Sequence, residues 1–431
     1  MTRYLALLRN RNFLLYWLAG ASACIGDFFN TLALVKLFSQ DPDRLGFYTS
    51  LVIVGNMAPT LLLGPVAGTL ADRLPRKVIM VCADVVRAVL MFSMVFVHEP
   101  LALIGLDFAA AVATAFFSPA SSALLPSLVE RDELVTAGSL NIMTQRLAML
   151  LGNGLGAVLL VLVGPAAVFA INGGLFLMSA LAHSGMRVPG VAPDGVPALT
   201  PGGAQASAGA QAGAPRPLSP LARLVRDLRE AASVVRERPN LRHLLTGLSI
   251  ANLGDSGSNV LLVTFFTVTL GLAAEQMGFI LAGFGGAAVL GAFLIGAAGN
   301  RIHWRHLFSL GCGYVWFTAT AVVVAGSLIP SSAFLLLLGL GSGAINVGLQ
   351  VAVADLVPDN VRGRIFGSFG TVSALIMITG NLVAGALADR FGAGYTMLGY
   401  ALAYLAAGVY GSLTLRPQPD SGARAAEAPA D

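Results

Sequence analysis

Long apolar runs alternate with short polar segments along this chain. Crossing a lipid bilayer as a helix takes about 20 apolar residues, and runs of that order lie near 13–38, 47–70, 78–97, 101–120, 139–163 and 165–186. Six more lie near 240–270, 277–299, 307–328, 332–355, 366–388 and 393–415. In lipid every backbone N–H and C=O must be paired internally, so runs of this length holding Gly and Pro predict helices rather than open sheet. The pattern predicts an all-α membrane protein of twelve transmembrane helices.

The polar segments between the runs set the orientation. With the N-terminus on the cytoplasmic side, the inside segments collect 21 Lys and Arg, among them Arg3, Arg9, Arg11, Arg73, Arg76, Lys77, Arg131, Arg301 and Arg305. Outside remain Lys36, Arg44 and Arg390. That asymmetry predicts both termini in the cytoplasm. The domain plan follows: a six-helix bundle over 1–187, a cytoplasmic linker over 188–238, a second bundle over 239–415 and a disordered tail over 416–431. The linker starts as Pro, Gly, Ala and Ser without period. Over 219–238 it changes to a basic amphipathic helix, with Leu221, Leu224, Leu228 and Ala232 on one face and Arg223, Arg226 and Arg229 on others. It suits the cytoplasmic lipid surface, or equally a tether packed under the bundles.

Composition agrees and excludes several classes. Hydrophobic residues make up 56% and charged residues 11%, values foreign to soluble domains, and 50 Gly suit helices packed closely in lipid. A net charge of +4 does not argue for nucleic acid as a partner. Cys24, Cys82 and Cys312 lie inside apolar runs without metal or redox spacing and read as packing residues. His98, His183, His243, His303 and His306 fall near helix ends and read as interfacial. The first apolar run exceeds a signal-peptide core and is expected to stay as a membrane helix. No GxxxxGK[ST] stretch occurs and no nucleophile, base and oxyanion set can be assembled, so neither ATP use nor enzyme chemistry is expected.

An internal repeat organises the twelve runs. At an offset of 228 residues Gly26-Asp27 falls on Gly254-Asp255, Gly68 on Gly296, Arg73 on Arg301, Leu128-Val129 on Leu356-Val357 and Gly152-Asn153 on Gly380-Asn381. Two parallel six-helix units joined by a long loop are the form of a carrier whose site lies between halves.

After the second run stands Gly68-Thr69-Leu70-Ala71-Asp72-Arg73-Leu74-Pro75-Arg76-Lys77. Gly68 permits close helix approach, Asp72 suits the positive end of a neighbouring helix, and Arg73, Arg76 and Lys77 reach acidic groups or lipid phosphate. The stretch resembles the GxxxDRxxRR signature of the major facilitator superfamily. Its repeat mate, GAAGNRIHWR, has Asn300 in place of the acid. Asp84-Val85-Val86-Arg87, the stretch Phe116–Asn141 and Val361-Arg362-Gly363-Arg364 are similar to the exporter branch holding macrolide efflux proteins, Tap-like drug pumps and enterobactin exporters. The resemblance implies the major facilitator fold, two pseudo-symmetric six-helix bundles, with the Gly68–Lys77 segment as a cytoplasmic latch of the outward-facing state. The fifth helix has Gly152-Asn153-Gly154-Leu155-Gly156 where antiporters of the family carry GPxxGG.

Ionisable residues at bilayer depth are functional candidates, since each costs about 2.5–3.5 kcal/mol to insert. Asp27 lies past the middle of the first run and Asp255 is its repeat mate. Both are expected to line a cavity, where they titrate with proton coupling or attract a cation, or else to bond Asn30, Asn252 or Asn259 for packing. Asp107, near the outer end of the fourth run, is a further candidate for the proton-coupling or substrate cavity, or else is simply wet. Asp84 and Arg87, three apart on one face, are expected to form an intramembrane ion pair. Arg146 could meet that pair or an anionic cargo. Phe28, Phe29, Phe116, Phe117, Met143 and Met149 are candidates for an adaptable apolar lining. The expected function is secondary active export of amphipathic or cationic small molecules by proton antiport and alternating access, from a bacterial inner membrane. The protein is expected to be a monomer in contact with membrane lipid, with no cofactor and the proton gradient as energy source. A siderophore exporter, a lysophospholipid flippase and a non-transporting membrane sensor are the alternatives.

Overall fold

The computed structural model describes residues 7–130, 133–187, 235–236, 239–298, 304–356 and 359–415, with side chains at all of these except 72, 135, 274, 295–298, 304 and 343–368. The linker from 188 to 234, Arg131, Asn300, Arg301, the side chains of Asp72 and of Val361–Arg364, and the tail over 416–431 lie outside the described residues.

Among the described residues the chain is helical throughout. In chain order the helices are α1 (Arg11–Phe38), α2 (Leu45–Arg73), α3 (Arg76–Met94), α4 (Pro100–Leu124), α5 (Leu134–Ser184), α6 (Pro239–Asp255), α7 (Ser258–Thr264), α8 (Ala274–Ala298), α9 (Trp304–Val324), α10 (Leu328–Leu356), α11 (Asp359–Phe391) and α12 (Ala393–Thr414). Asn10 caps α1, its side-chain oxygen accepting from the N–H groups of Asn12 and Phe13 at 3.0 and 3.3 Å.

Helix numbers and crossings do not correspond one to one. The 51-residue α5 holds two crossings, because Gly164 takes φ 75° and ψ 172° in the middle of it. Only Gly tolerates that conformation without strain, and Pro165 starts the second arm with its φ already set. The seventh crossing is the reverse case: α6 ends at Asp255, α7 restarts at Ser258, and a π-turn over Phe265–Thr269 follows. Among the described residues eight segments are long and apolar enough to span a membrane by themselves. The rest are the second arm of α5, α3 with Arg76, Lys77, Asp84 and Arg87 in it, the broken seventh crossing, and α10, whose described apolar part is Leu328–Ser342. Twelve crossings result, as the apolar runs predict.

The chain divides into two compact units. The first holds α1 to α5 together with Asn259–Gly285 and Asn381–Ala393. Here α1 packs on α5, α2 on α4, and α3 on both α4 and α5. One apolar cluster gathers Phe29, Leu32, Phe38, Met91, Phe169 and Phe176, and another Phe13, Tyr16, Met80, Leu124 and Met186. The second unit contains α6, residues 286–380 and α12. In it Leu241, Leu244 and Leu248, on one face of α6, meet Phe308, Cys312 and Ala407. Cys312 is a packing residue, as read from its apolar surroundings.

Candidate functional site

Asp27 is the seventeenth residue of α1, about 24 Å along a rod of about 42 Å. Gly20, Cys24, Asp27 and Thr31 recur every three or four residues and share one face. Asp27 is exposed and makes no side-chain hydrogen bond among the described residues, although Arg87 and Asp84 act on it through space. Its neighbour one turn on, Asn30, bonds elsewhere.

That partner is Asp107 of α4. Asn30 Nδ2 donates to Asp107 Oδ1 at 2.6 Å and Asn56 Nδ2, from α2, to Asp107 Oδ2 at 2.9 Å. Asp107 is 3% exposed, which corrects the expectation that it is wet. Distance along one helix does not measure burial when two other helices close over the carboxylate.

A second polar node sits between α3, α4 and α5. Asp84 and Arg87 pair directly, as their spacing predicts. Asp84 Oδ2 further accepts from Ser179 Oγ at 2.7 Å and meets His183 Nδ1 at 2.8 Å. The Arg87 guanidinium is clamped between the rings of Phe117 and Phe176, 4.6 and 4.4 Å from their centroids. His183 is fully buried rather than interfacial, because the last turns of α5 fold against Tyr16 and Phe117. Arg146 does not join this pair; it is exposed on the first arm of α5 and forms no ion pair among the described residues.

Asp255 stands at the break in the seventh crossing, exposed, and accepts from Tyr404 Oη at 3.0 Å. Asn252, a candidate partner, donates instead to Ser373 Oγ at 2.9 Å. Of the candidate lining residues, Phe29 is core, Met149 lies against Gly285, and Met143 is exposed.

The Gly68–Lys77 segment is organised differently from its expected chemistry. A Cβ at Gly68 would meet nothing within 4 Å among the described residues, so no close approach is made there. Arg73 is exposed. Arg76 Nη1 donates to the Ala123 carbonyl at 2.7 Å and Lys77 Nζ to the Met186 carbonyl at 2.8 Å. The two cations thus serve the carboxyl ends of α4 and α5, where unpaired carbonyls carry partial negative charge.

At the opposite end of the first unit the two sequence halves meet. Asp389 of α11 caps α2, accepting from Gly46 N–H at 3.0 Å and Phe47 N–H at 2.9 Å. Gly46 and Gly385 face each other so closely that a Cβ on Gly385 would stand 2.6 Å from the Gly46 carbonyl oxygen. On the other side Gly278 of α8 lies against α5, its missing Cβ 2.6 Å from Ala157 Cβ and 2.8 Å from the Asn153 carbonyl oxygen. Lys36 and Glu275 add an ion pair at 3.1 Å. These crossings are repeat mates: the offset of 228 carries Ser50, which touches Gly385, onto Gly278, and Ala157 onto Gly385. The signal lies in the repeat itself, but in small apolar positions that the polar and motif pairs at the same offset overshadow. Among the described residues no three His, Cys, Asp or Glu side chains form a cluster fit for a metal.

Comparison with known proteins is consistent with this architecture. Residues 2–193 match the family described as Transmembrane secretion effector and residues 244–430 the one described as Major Facilitator Superfamily. The chain is 26% identical over 412 residues to the uncharacterized MFS-type transporter YfiS of Bacillus subtilis (strain 168), covering 91% of this chain and 90% of that protein. It is 22% identical over 352 residues to macrolide efflux protein A of Streptococcus pyogenes, covering 79% of this chain and 80% of that one. Among solved structures it resembles the nucleoside transporter NupG, with a TM-score of 0.69, 14% identity and coverage of 95% and 100%. At that identity the likeness concerns the fold alone.

Proposed function

Because the chain belongs to the major facilitator superfamily, on the branch of the macrolide efflux proteins, and is a multi-pass membrane transporter, we propose that it exports amphipathic small molecules bearing a positive charge, in exchange for protons, by alternating access. The observation that carries this reading is Asp27, exposed at mid-helix with no hydrogen-bond partner among the described residues. A lone carboxylate at bilayer depth is costly unless a cation, proton or cargo, meets it. Proton and cargo then compete for one negative site, which is the requirement for exchange. The bias of Lys and Arg favours a bacterial inner membrane with both termini in the cytoplasm. The Gly68–Lys77 end then faces the cytoplasm and the Asp389 end the outside. The proton gradient supplies the energy, with no cofactor, and a monomer surrounded by lipid suffices.

The test is transport of a cationic dye into proteoliposomes with an imposed pH gradient. Uptake should vanish when the gradient is collapsed and in Asp27→Asn. Uptake that survives both treatments refutes proton coupling through Asp27. The exposed Arg146 favours one second reading, export of an anionic siderophore; uptake of such an anion that is lost in Arg146→Gln and retained in Asp27→Asn would select it.

A further inference from the structure

We infer that Asp107 is a proton-exchange site and that Asn30 is its positioning residue, a carboxamide whose half-turn lets the site hold either the acid or the carboxylate. This rests on the proton-coupled reading above for its role in transport, but not for its chemistry.

The geometry is that of a carboxyl group without a cation of its own. Asp107 is 3% exposed and, among the described residues, its two oxygens meet only the carboxamides of Asn30 and Asn56. On the helices packed against α4, the ionisable groups within the span are Tyr16, Cys24 and Asp27 on α1, Tyr48 on α2, and Cys82, Asp84 and Arg87 on α3. The latter two are engaged with each other, Ser179 and His183. Along the span α2 offers only neutral Asn56 to this carboxylate. An ionised Asp107 is served by two N–H donors. A neutral Asp107 needs something else, an acceptor for its own O–H.

The two carboxamides differ in their freedom to supply one. Asn56 Nδ2 also donates to the Val52 carbonyl at 3.0 Å, which fixes its orientation, since a turned amide would set oxygen against oxygen. Asn30 has no such anchor. Its Oδ1 is buried and has no hydrogen-bond partner, so no bond is broken on that side when the amide turns about χ2. The turn brings Oδ1 to the position of Nδ2, 2.6 Å from Asp107 Oδ1. That separation is short for N–H to O and ordinary for O–H to O. One side-chain rotation, with no backbone movement, therefore exchanges a donor to the carboxylate for an acceptor from the acid. The step balances simply: a proton adds to one Asp107 oxygen and the new O–H donates to Asn30 Oδ1. Asn30 lies one turn beyond the exposed Asp27 on the same helix, so α1 carries both the proton's entry and the carboxamide that faces its resting place, Asp107 of α4.

The test is pH-difference infrared spectroscopy of the full chain in lipid nanodiscs. In the wild type a neutral-acid C=O band should appear as the pH falls, vanish in Asp107→Asn and persist in Asp27→Asn. Asn30→Leu, similar in size but without an acceptor, should raise the band frequency toward that of a free acid. It should also displace its midpoint by about one pH unit, a tenfold change in proton affinity. Asn30→Ser, whose hydroxyl both donates and accepts, should restore at least half of both shifts and show that lost packing is not their cause. A band that survives Asp107→Asn, or one whose frequency and midpoint ignore Asn30→Leu, overturns the assignment. If the band behaves as described while dye uptake ignores the pH gradient, the proton site stands and the proposed antiport falls.

Discussion

Replacing Gly385 with Ala places one methyl group in the crossing of α2 and α11. Its carbon would stand 2.6 Å from the Gly46 carbonyl oxygen, 2.7 Å from Ser50 Oγ and 2.8 Å from Ser50 Cβ. The first of these is backbone and yields only if the helices part, by roughly 0.8 Å to reach ordinary contact. The Asp389 hydrogen bonds, now 3.0 and 2.9 Å, would lengthen to about 3.7 Å and be lost. Overpacking of this kind costs about 1–3 kcal/mol, and 2 kcal/mol is roughly a 30-fold shift against the closed crossing. The assay uses Cys24, half-buried one turn from Asp27, as the single cysteine after Cys82→Ser and Cys312→Ala. A membrane-impermeant maleimide added outside intact cells should label Cys24 about 10 to 100 times faster in Gly385→Ala than in its parent. Gly399→Ala, where a Cβ meets nothing within 4 Å, should leave the rate unchanged. Equal rates in Gly385→Ala and its parent would refute the view that this crossing closes the outer end.

In the same labelling assay Asp389→Asn, which keeps one acceptor oxygen, should raise the rate a few-fold, and Asp389→Ala about ten-fold; equal effects would deny the cap its role. Asp84→Ala leaves Arg87 buried without its anion and should cost about 3–5 kcal/mol. It should appear as a marked fall in melting temperature of the detergent-solubilised protein. Joint replacement by Asp84→Leu and Arg87→Met should recover most of that loss, and a double variant no more stable than the single one would contradict the assignment. Gly164→Ala forces a side chain into a conformation reserved for Gly, at about 1–3 kcal/mol. It should lower the melting temperature, whereas an unchanged melt would show that the turn between the arms of α5 relaxes without cost.

The helices were legible because a bilayer imposes a length, and apolar runs of that length have few other uses. The turn at Gly164 fits the sequence reading, which breaks the fifth and sixth runs there. What the pattern could not convey was which side chains meet across helices. Asp107 read as wet from its distance to a helix end, yet Asn30 and Asn56 cover it from two other helices. His183 read as interfacial for the same reason, until the last turns of α5 proved to lie against Asp84. The Asp84 and Arg87 pair was legible since i and i+3 on one helix are neighbours whatever the fold. Gly46, Gly278 and Gly385 were lost among 50 Gly, where composition has no power to say which ones touch.

The repeat-related crossings have a mechanical consequence. Duplication supplied two seams at the same end of the molecule, Ser50 against Gly385 and Gly278 against Ala157. They are fastened differently: the repeat mate of Asp389 is Val161, which can hold no helix end, while Lys36 and Glu275 pair beside the other seam. The α2 and α11 seam is thus held by a helix cap and the α5 and α8 seam flanked by an ion pair, so salt that screens the second leaves the hydrogen bonds of the first in place.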